Sequence, residues 1–320
     1  MTTVSPPRPR GTPSAPTAQS PRPTSPGARR RRRRDHWTAV AFITPSMIAF
    51  TLFVLVPALA GLGLSFFAWD LFTPPAWVGL ANFQRLFDDP EVWTSLKITA
   101  EFVLFGVAPT VVVGFVLAVL INSRLRGVGA LRILYFAPML ASSAVAAVLW
   151  SYMYDPRSGV ANWLFSLFGA DGKDWLTDTT WALPALVLML IWLALPLVII
   201  LYLAGLQRIP DDIYAAASLD GATVWRQLWS MTWPNVVPTT VLVTVLQTIN
   251  FVSGSFETSL IMTKGGPLGH TQTLALYAYL TAFESSDIGY ASALSLLQLT
   301  IIAALIVIIR TVQRLRRTPS

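Results

Sequence analysis

Six apolar runs set the limits on what this 320-residue chain can fold into. They fall at roughly Val40–Phe67, Ile98–Ile121, Leu131–Met153, Trp181–Leu203, Val236–Phe256 and Tyr290–Ile309. A helix needs about 20 mainly apolar residues to cross ~30 Å of hydrocarbon at ~1.5 Å per residue, and every run is long enough. Backbone groups in lipid must be paired within their own segment, so the runs are helices and not strands. Only 12% of residues are charged and 54% are hydrophobic, whereas a soluble domain carries about 25% charged residues. The expected fold class is therefore all-α: an integral membrane protein with six transmembrane helices. Pro45, Pro57, Pro109, Pro138, Pro184 and Pro196 lie inside or at the edges of the runs, where neighbouring helices can re-satisfy the carbonyls a proline frees.

Residues 1–36 are rich in Pro, Ser, Thr and Arg and almost devoid of large apolar side chains. They cannot bury enough surface to offset chain entropy, and disorder is expected. Six consecutive arginines, Arg29–Arg34, end this tail. A nucleic-acid patch is one reading of them, and a cytoplasmic anchor before a span is the simpler one. A cleaved signal peptide is not expected, because the first run is too long and too far along the chain. Residues 37–315 then form the six-helix domain with a polar connector at 204–235, and 316–320 form a short C-terminal end.

Lys and Arg orient the spans. With the N-terminus in the cytoplasm, eighteen of the 23 fall inside, among them Arg124, Arg126, Arg132, Arg208, Arg226, Arg310, Arg314, Arg316 and Arg317. Arg85, Lys97, Arg157, Lys173 and Lys264 fall outside. The positive-inside rule thus puts both termini in the cytoplasm. Trp69, Trp77, Trp93, Trp175 and Trp181 gather near the outer ends, as an aromatic belt would.

Several function classes are disfavoured. No lysine stands in a Gly-rich phosphate cradle, so ATP binding by a P-loop is excluded. Glu101 lies one turn into the second span and Glu257 closes the fifth, leaving the span centres free of charge. Ion-coupled carriers usually place ionisable groups there despite a cost of ~3 kcal/mol or more each. An intramembrane enzyme would need a nucleophile with its base, paired carboxylates or a metal cluster at depth. The chain has no Cys, and its two His, His36 and His270, are far apart. No cofactor or metal is expected in this chain.

The connector from Tyr214 to Pro238 is the exception to an apolar chain. Pro210 followed by Asp211 and Asp212 suits a helix start, where the dipole favours acids. Tyr214, Ala215, Ala216 and Ala217 continue that short helix until Asp220-Gly221 breaks it, since Gly tolerates positive φ. Ala222 to Trp233 reads as a second short helix stopped by Pro234. The product is a compact knob whose alanines let another surface come close; an amphipathic connector that merely returns the chain to the membrane is the simpler reading.

The same residues carry a resemblance. A signature of Glu-Ala-Ala, three residues ending in Asp, Gly-Ala, and later a hydrophobic residue, Leu and Pro is matched by Ala216-Ala217, Asp220-Gly221-Ala222, Leu228, Met231 and Pro234. The chain resembles the inner-membrane permeases of binding-protein-dependent ABC importers, in the carbohydrate-uptake branch that includes maltose and glycerol-3-phosphate systems. Trp77–Phe83, Gly127–Pro138, Gly265-Gly266-Pro267 and Gly289–Ala293 also fall in that family's order, so the resemblance covers about residues 40–315. Two departures stand out: Ala215 replaces the signature's Glu, and Leu228 its aromatic residue. The resemblance implies a coupling loop of Tyr214, Ala215, Ala216, Ala217, Asp220, Gly221, Ala222, Leu228 and Pro234 seated on an ATPase. It also implies a second permease subunit, an ATPase dimer holding ATP and Mg, an extracytoplasmic solute-binding protein and a multi-pass place in the cytoplasmic membrane. Gly265, Gly266 and Pro267, a hinge-like outer turn, would meet the binding protein.

A path for solute is sought among polar residues in the spans. Gln247, Asn250, Gly254 and Glu257 share one helical face, as do Ser292, Ser295 and Gln298. Gln247, Asn250, Ser295 and Gln298 could line a route for a hydroxyl-rich solute, or could simply bond between helices at about 0.6 kcal/mol per contact. A stand-alone secondary transporter or channel for a small neutral solute is the alternative function.

Overall fold

The computed structural model describes Thr38, residues 40–122 and residues 136–317. Expectations for the tail 1–36, for Arg124, Arg126 and Arg132, for the start of the third run at Leu131 and for residues 318–320 lie outside the described residues. The chain divides into two units, Met1–Leu59 and Ala60–Ser320.

The described part of the first unit belongs to helix α1, Val40–Leu64, whose apolar side chains, Phe42 and Phe53 among them, are exposed. Its middle widens into a π-turn over Thr51–Leu55, closed by the Val56 N–H donating to the Thr51 carbonyl. Pro57 follows two residues later. A proline ring collides with the carbonyl four residues back, and the wider turn moves those carbonyls aside.

In the second unit, strand β1 (Phe67–Ala68) pairs antiparallel with β2 (Ala76–Trp77). Then come α2 (Ala81–Asp88), α3 (Pro90–Asn122), α4 (Ser143–Met153), α5 (Val160–Leu167), α6 (Ala182–Leu206), α7 (Asp211–Leu219), α8 (Val224–Met262), α9 (Leu274–Phe283) and α10 (Ile288–Arg317). Among the described residues five helices are long and apolar enough to cross a membrane: α1, α3, α6, α8 and α10.

The third expected crossing is built differently from the others. Pro138 sits in a 3₁₀ turn, Ala137–Leu140, and Ser142 then caps α4, its hydroxyl accepting from the Val145 N–H at 3.3 Å. Eleven helical residues reach only ~16 Å, so α4 alone does not span the ~30 Å that a continuous helix covers. The short apolar helix α9 was not foreseen at all.

The core is the packing of α3, α6 and α8. At one level Ile98, Phe102, Leu186, Leu190 and Phe251 interlock. At the next Phe115, Ile199, Tyr202, Val236 and Val243 do so. Lipid is as apolar as leucine, so such helices are held by close fit and hydrogen bonds more than by the hydrophobic effect. Two glycines on α3 allow that fit. A Cβ at Gly106 would overlap the Phe251 ring, and one at Gly114 would overlap Val198. The Tyr202 hydroxyl donates to Thr240 Oγ1 at 3.1 Å, tying α6 to α8.

Polar contacts fasten the end of the bundle where α3 and α10 begin. The Asp89 carboxylate accepts from the Tyr277 hydroxyl at 2.6 Å and the Tyr290 hydroxyl at 2.7 Å. Arg85 pairs with Asp287 at 2.6 Å and lies 3.8 Å over the Tyr290 ring. Asn82 donates to the carbonyls of Ser65 and Phe67, and the buried Thr99 hydroxyl accepts from the Leu274 N–H that opens α9. Burial pushes the Asp89 carboxyl up, but the two tyrosine hydroxyls and the Glu91 N–H outweigh it and hold it below its ordinary value. Trp77 and Trp93 are exposed nearby, as a belt requires, but Trp175 is not. It is 7% exposed, packed edge-on against Phe165 and Trp181, with its indole N–H on Asn162.

Candidate functional site

The knob lies between α6 and the span portion of α8. Pro210 is the N-cap of α7, one place earlier than the first helical position expected for it, and Asp211 and Asp212 fill the first turn. Gly221 takes φ +73°, and a Cβ there would touch nothing within 4 Å. The Gly221 N–H reaches the Ser218 carbonyl and the Ala222 N–H reaches that of Ala217, which is the Schellman arrangement that ends a helix. Thr223 then caps the next helix, its hydroxyl accepting from Arg226 N–H.

The second helix of the knob does not stop at Pro234. It runs unbroken from Val224 to Met262, so knob and fifth span are one helix. A second π-turn, Leu228–Thr232, makes this possible, with the Trp233 N–H donating to the Leu228 carbonyl. Pro234 follows two residues after the turn, the same spacing as at Pro57 in α1. Pro234 is at the start of the α-helical stretch that follows the π-turn.

Three hydrogen bonds hold α7 and the turn after it against this helix. The Tyr214 hydroxyl meets Thr232 Oγ1 at 2.9 Å. Gln227 donates to Ser218 Oγ at 3.1 Å and to the Ala222 carbonyl at 3.2 Å. Tyr214 and Leu228 also pack on the core cluster around Tyr202, and Ala217 is buried. Ala215, Ala216, Asp220 and Gly221 face outward. Of the nine residues expected to form the loop, the structure thus sorts Tyr214, Ala217 and Leu228 to the inner side.

On the polar face of α8, Gln247 is 1% exposed and accepts from Asn250 Nδ2 at 3.1 Å. Ser295 is spoken for by the Ala291 carbonyl, and Gln298 is half-buried. No hydrogen bond joins the α8 pair to the α10 pair among the described residues. Gly265-Gly266-Pro267 forms a turn fastened by hydrogen bonds. The Gly266 N–H binds the Thr263 carbonyl, the buried Thr271 hydroxyl meets both Thr263 Oγ1 and the Gly266 carbonyl at 2.7 Å, and the His270 N–H closes on Pro267. Leu268, 90% exposed, projects from the turn. Among the described residues no cluster of His, Cys, Asp or Glu could hold a metal.

These features define a polytopic helical membrane protein whose polar helix-turn-helix is continuous with a long apolar helix. The chain belongs to the family of binding-protein-dependent transport system inner membrane components, whose model matches residues 110–317. It is a transport subunit, carried in the inner membrane by several crossings. A probable ABC transporter permease of Bacillus subtilis (strain 168), YesP, is 35% identical over 87% of this chain and 90% of its own. The trehalose/maltose transport system permease MalF of Thermococcus litoralis is 31% identical over 86% of this chain and 93% of its own. Among solved structures, a chain of a bacterial ABC transporter importing the polysaccharide alginate superposes with a TM-score of 0.77 at 23% identity. That match covers 90% of this chain and 99% of the other, and it shows the shared fold.

Proposed function

We propose that this chain forms half of an ATP-driven import path for a sugar or related polyol, with its knob seated on a cytoplasmic ATPase. The observation that carries the reading is the continuity of α8. The helix that starts in the knob at Val224 also bears Gln247 and Asn250 in the membrane, so force applied to one reaches the other through one hydrogen-bonded rod. Relatives named for trehalose and maltose, starch degradation products and sulfoquinovosyl glycerol support the solute class. The charge balance of the loops supports a cytoplasmic knob and cytoplasmic termini. In this arrangement a second permease completes the path, an ATPase pair supplies ATP and Mg chemistry, and an extracytoplasmic binding protein delivers solute near Gly265-Gly266-Pro267.

Mechanistically, closure of the ATPases would draw the knob with them and tilt α8 against α3 and α6. Gln247 and Asn250 would then present amide groups alternately to the two sides of the membrane. Reconstitution tests this: solute uptake into vesicles should need the ATPase subunits and ATP. Uptake by the permease chains alone would overturn the reading in favour of a stand-alone carrier. The chain lacks cysteine, so Leu219→Cys and Leu268→Cys should label from opposite sides of the membrane.

A further inference from the structure

Helix α5 has a packed side and an open one. Ala161 and Phe165, one turn apart, both pack on the aromatic cluster around Trp150, Tyr154 and Trp175. The Phe165 ring stands edge-on to Trp175 at 4.9 Å. Asn162 lies beside them and fastens the loop that follows. Its side-chain oxygen accepts from the Lys173 N–H at 2.9 Å and the Trp175 indole at 2.8 Å, and its amide donates to the carbonyls of Pro156 and Lys173. On the other side Val160, Trp163, Leu164 and Leu167 make a stripe about 100° wide, and Phe168 extends it from the C-cap. All five are exposed, Trp163 at 59% and Phe168 at 88%.

The turn that enters α5 fixes where this stripe points. The Asp155 carboxylate accepts from the N–H groups of Arg157 and Ser158 and from the Ser158 hydroxyl, and a Cβ at Gly159 would collide with the Met153 and Asp155 carbonyls. Contiguous exposed apolar side chains mark a contact with protein or membrane, and three observations choose the membrane. The stripe has no hydrogen-bonding side chain except the Trp163 indole, whereas a protein interface carries about one hydrogen bond per 100–200 Å². Helix α5 has no charged residue, and the exposed Arg157 stands just before it, where a long cation can reach lipid phosphate. The stripe also repeats one on the preceding helix. On α4, Val145, Val148, Leu149 and Tyr152 are exposed at helical spacing, opposite the buried Ala146, Ala147 and Trp150. Tyr152 and Trp163 are the amphipathic aromatics that gather at membrane–water interfaces.

We propose that α5 is an in-plane membrane anchor: Val160, Trp163, Leu164, Leu167 and Phe168 lie in the boundary between phospholipid headgroups and acyl chains, about 5–10 Å deep. The anchor holds the end of α4 at that level, where a helix of only ~16 Å has no length to spare. A free-standing interfacial helix turns its whole polar face to water. Here Ala161, Asn162 and Phe165 give most of that face to the protein. Ser166, exposed and donating its hydroxyl to the Trp163 carbonyl at 2.7 Å, marks the strip left for water.

Because the chain has no cysteine, single nitroxide labels can be placed along α5 in the complete transporter, reconstituted in vesicles of phosphatidylcholine and phosphatidylglycerol. Collision rates with oxygen, which concentrates in lipid, and with a water-soluble nickel chelate then report the surroundings of each position. Leu164→Cys and Leu167→Cys should each show an oxygen-to-nickel ratio about tenfold above that of Ser166→Cys, at a depth of about 5–10 Å below the phosphates. Nickel access at 164 and 167 equal to that at 166 would put the stripe in water and overturn the anchor. Immobilised labels at both positions, shielded from oxygen and nickel alike, would assign the stripe to a protein partner and overturn it as well. Leu164→Asp tests the same face without a label. It should lower the midpoint of thermal unfolding in these vesicles, while Ser166→Asp should leave it unchanged; equal effects from the two would also overturn the anchor.

Discussion

The two ends of the α3–α6–α8 bundle use glycine for opposite purposes. At the end where α10 begins, Gly289 is required by space: a Cβ there would run into the Phe67 carbonyl oxygen. In the knob, Gly221 is required by backbone angle alone, and the space around it is empty. The first end satisfies its polar groups internally, with Asp89, Tyr277, Tyr290, Arg85 and Asp287 bonded to one another. The knob leaves Leu219 and Val224 largely exposed, and its three acids make no ion pair among the described residues. One end closes its polar groups within the chain, and the other leaves its exposed side chains open.

The same substitution at the two glycines separates these cases most sharply. Gly289→Val should cost about 3 kcal/mol, because a backbone carbonyl cannot yield to the new side chain, and folded yield in detergent should collapse. Asp89→Ala should come next, at about 2 kcal/mol, since it strands two tyrosine hydroxyls; thermal unfolding in detergent would read it. The Asp89 carboxyl is held below its ordinary value in the folded chain. Its contribution is therefore complete above the unfolded pKa of ~3.9 and fades as pH falls through the lower folded value. Acid below about pH 4 should loosen this end in the wild type and change the Asp89→Ala variant less.

At the knob, Gly221→Val should cost only about 1–2 kcal/mol of left-handed strain. It should nevertheless abolish ATP-driven uptake, and a transporter that imports normally with it would erase the contrast. Thr232→Val should cost about 1 kcal/mol by removing the partner of Tyr214. Gln247→Ala should barely alter stability, by about 0.6 kcal/mol, yet raise the KM of uptake; unchanged uptake would remove Gln247 from the path.

Much of this architecture was legible in the sequence, because lipid imposes long apolar runs and a glycine break is a local event. The runs over α3, α6, α8 and α10 were all found, and so was the turn at Gly221. What local reading missed depends on partners. Pro234 reads as a helix stop until a π-turn shows how the chain passes it. Pro138 reads as a kink, but it lies in a 3₁₀ turn, and α4 starts afresh after the Ser142 cap. Trp175 reads as a belt residue, and only the fold shows Asn162 waiting for its N–H. At Gly265-Gly266-Pro267 the fastening by buried Thr271, four residues beyond Pro267, is not visible locally. For the candidate site, the helix–glycine–helix shape was legible, but which of its residues face inward needed Tyr214–Thr232 and Gln227–Ser218 to be seen.

The length of α8 sets a mechanical gearing. Gln247 lies about 35 Å along the helix from Val224, at ~1.5 Å per residue. A tilt of only about 5° about the knob end would carry Gln247 sideways by about 3 Å, one hydrogen-bond length. Under the proposed coupling, a small rotation at the knob would therefore suffice to move the polar face of α8.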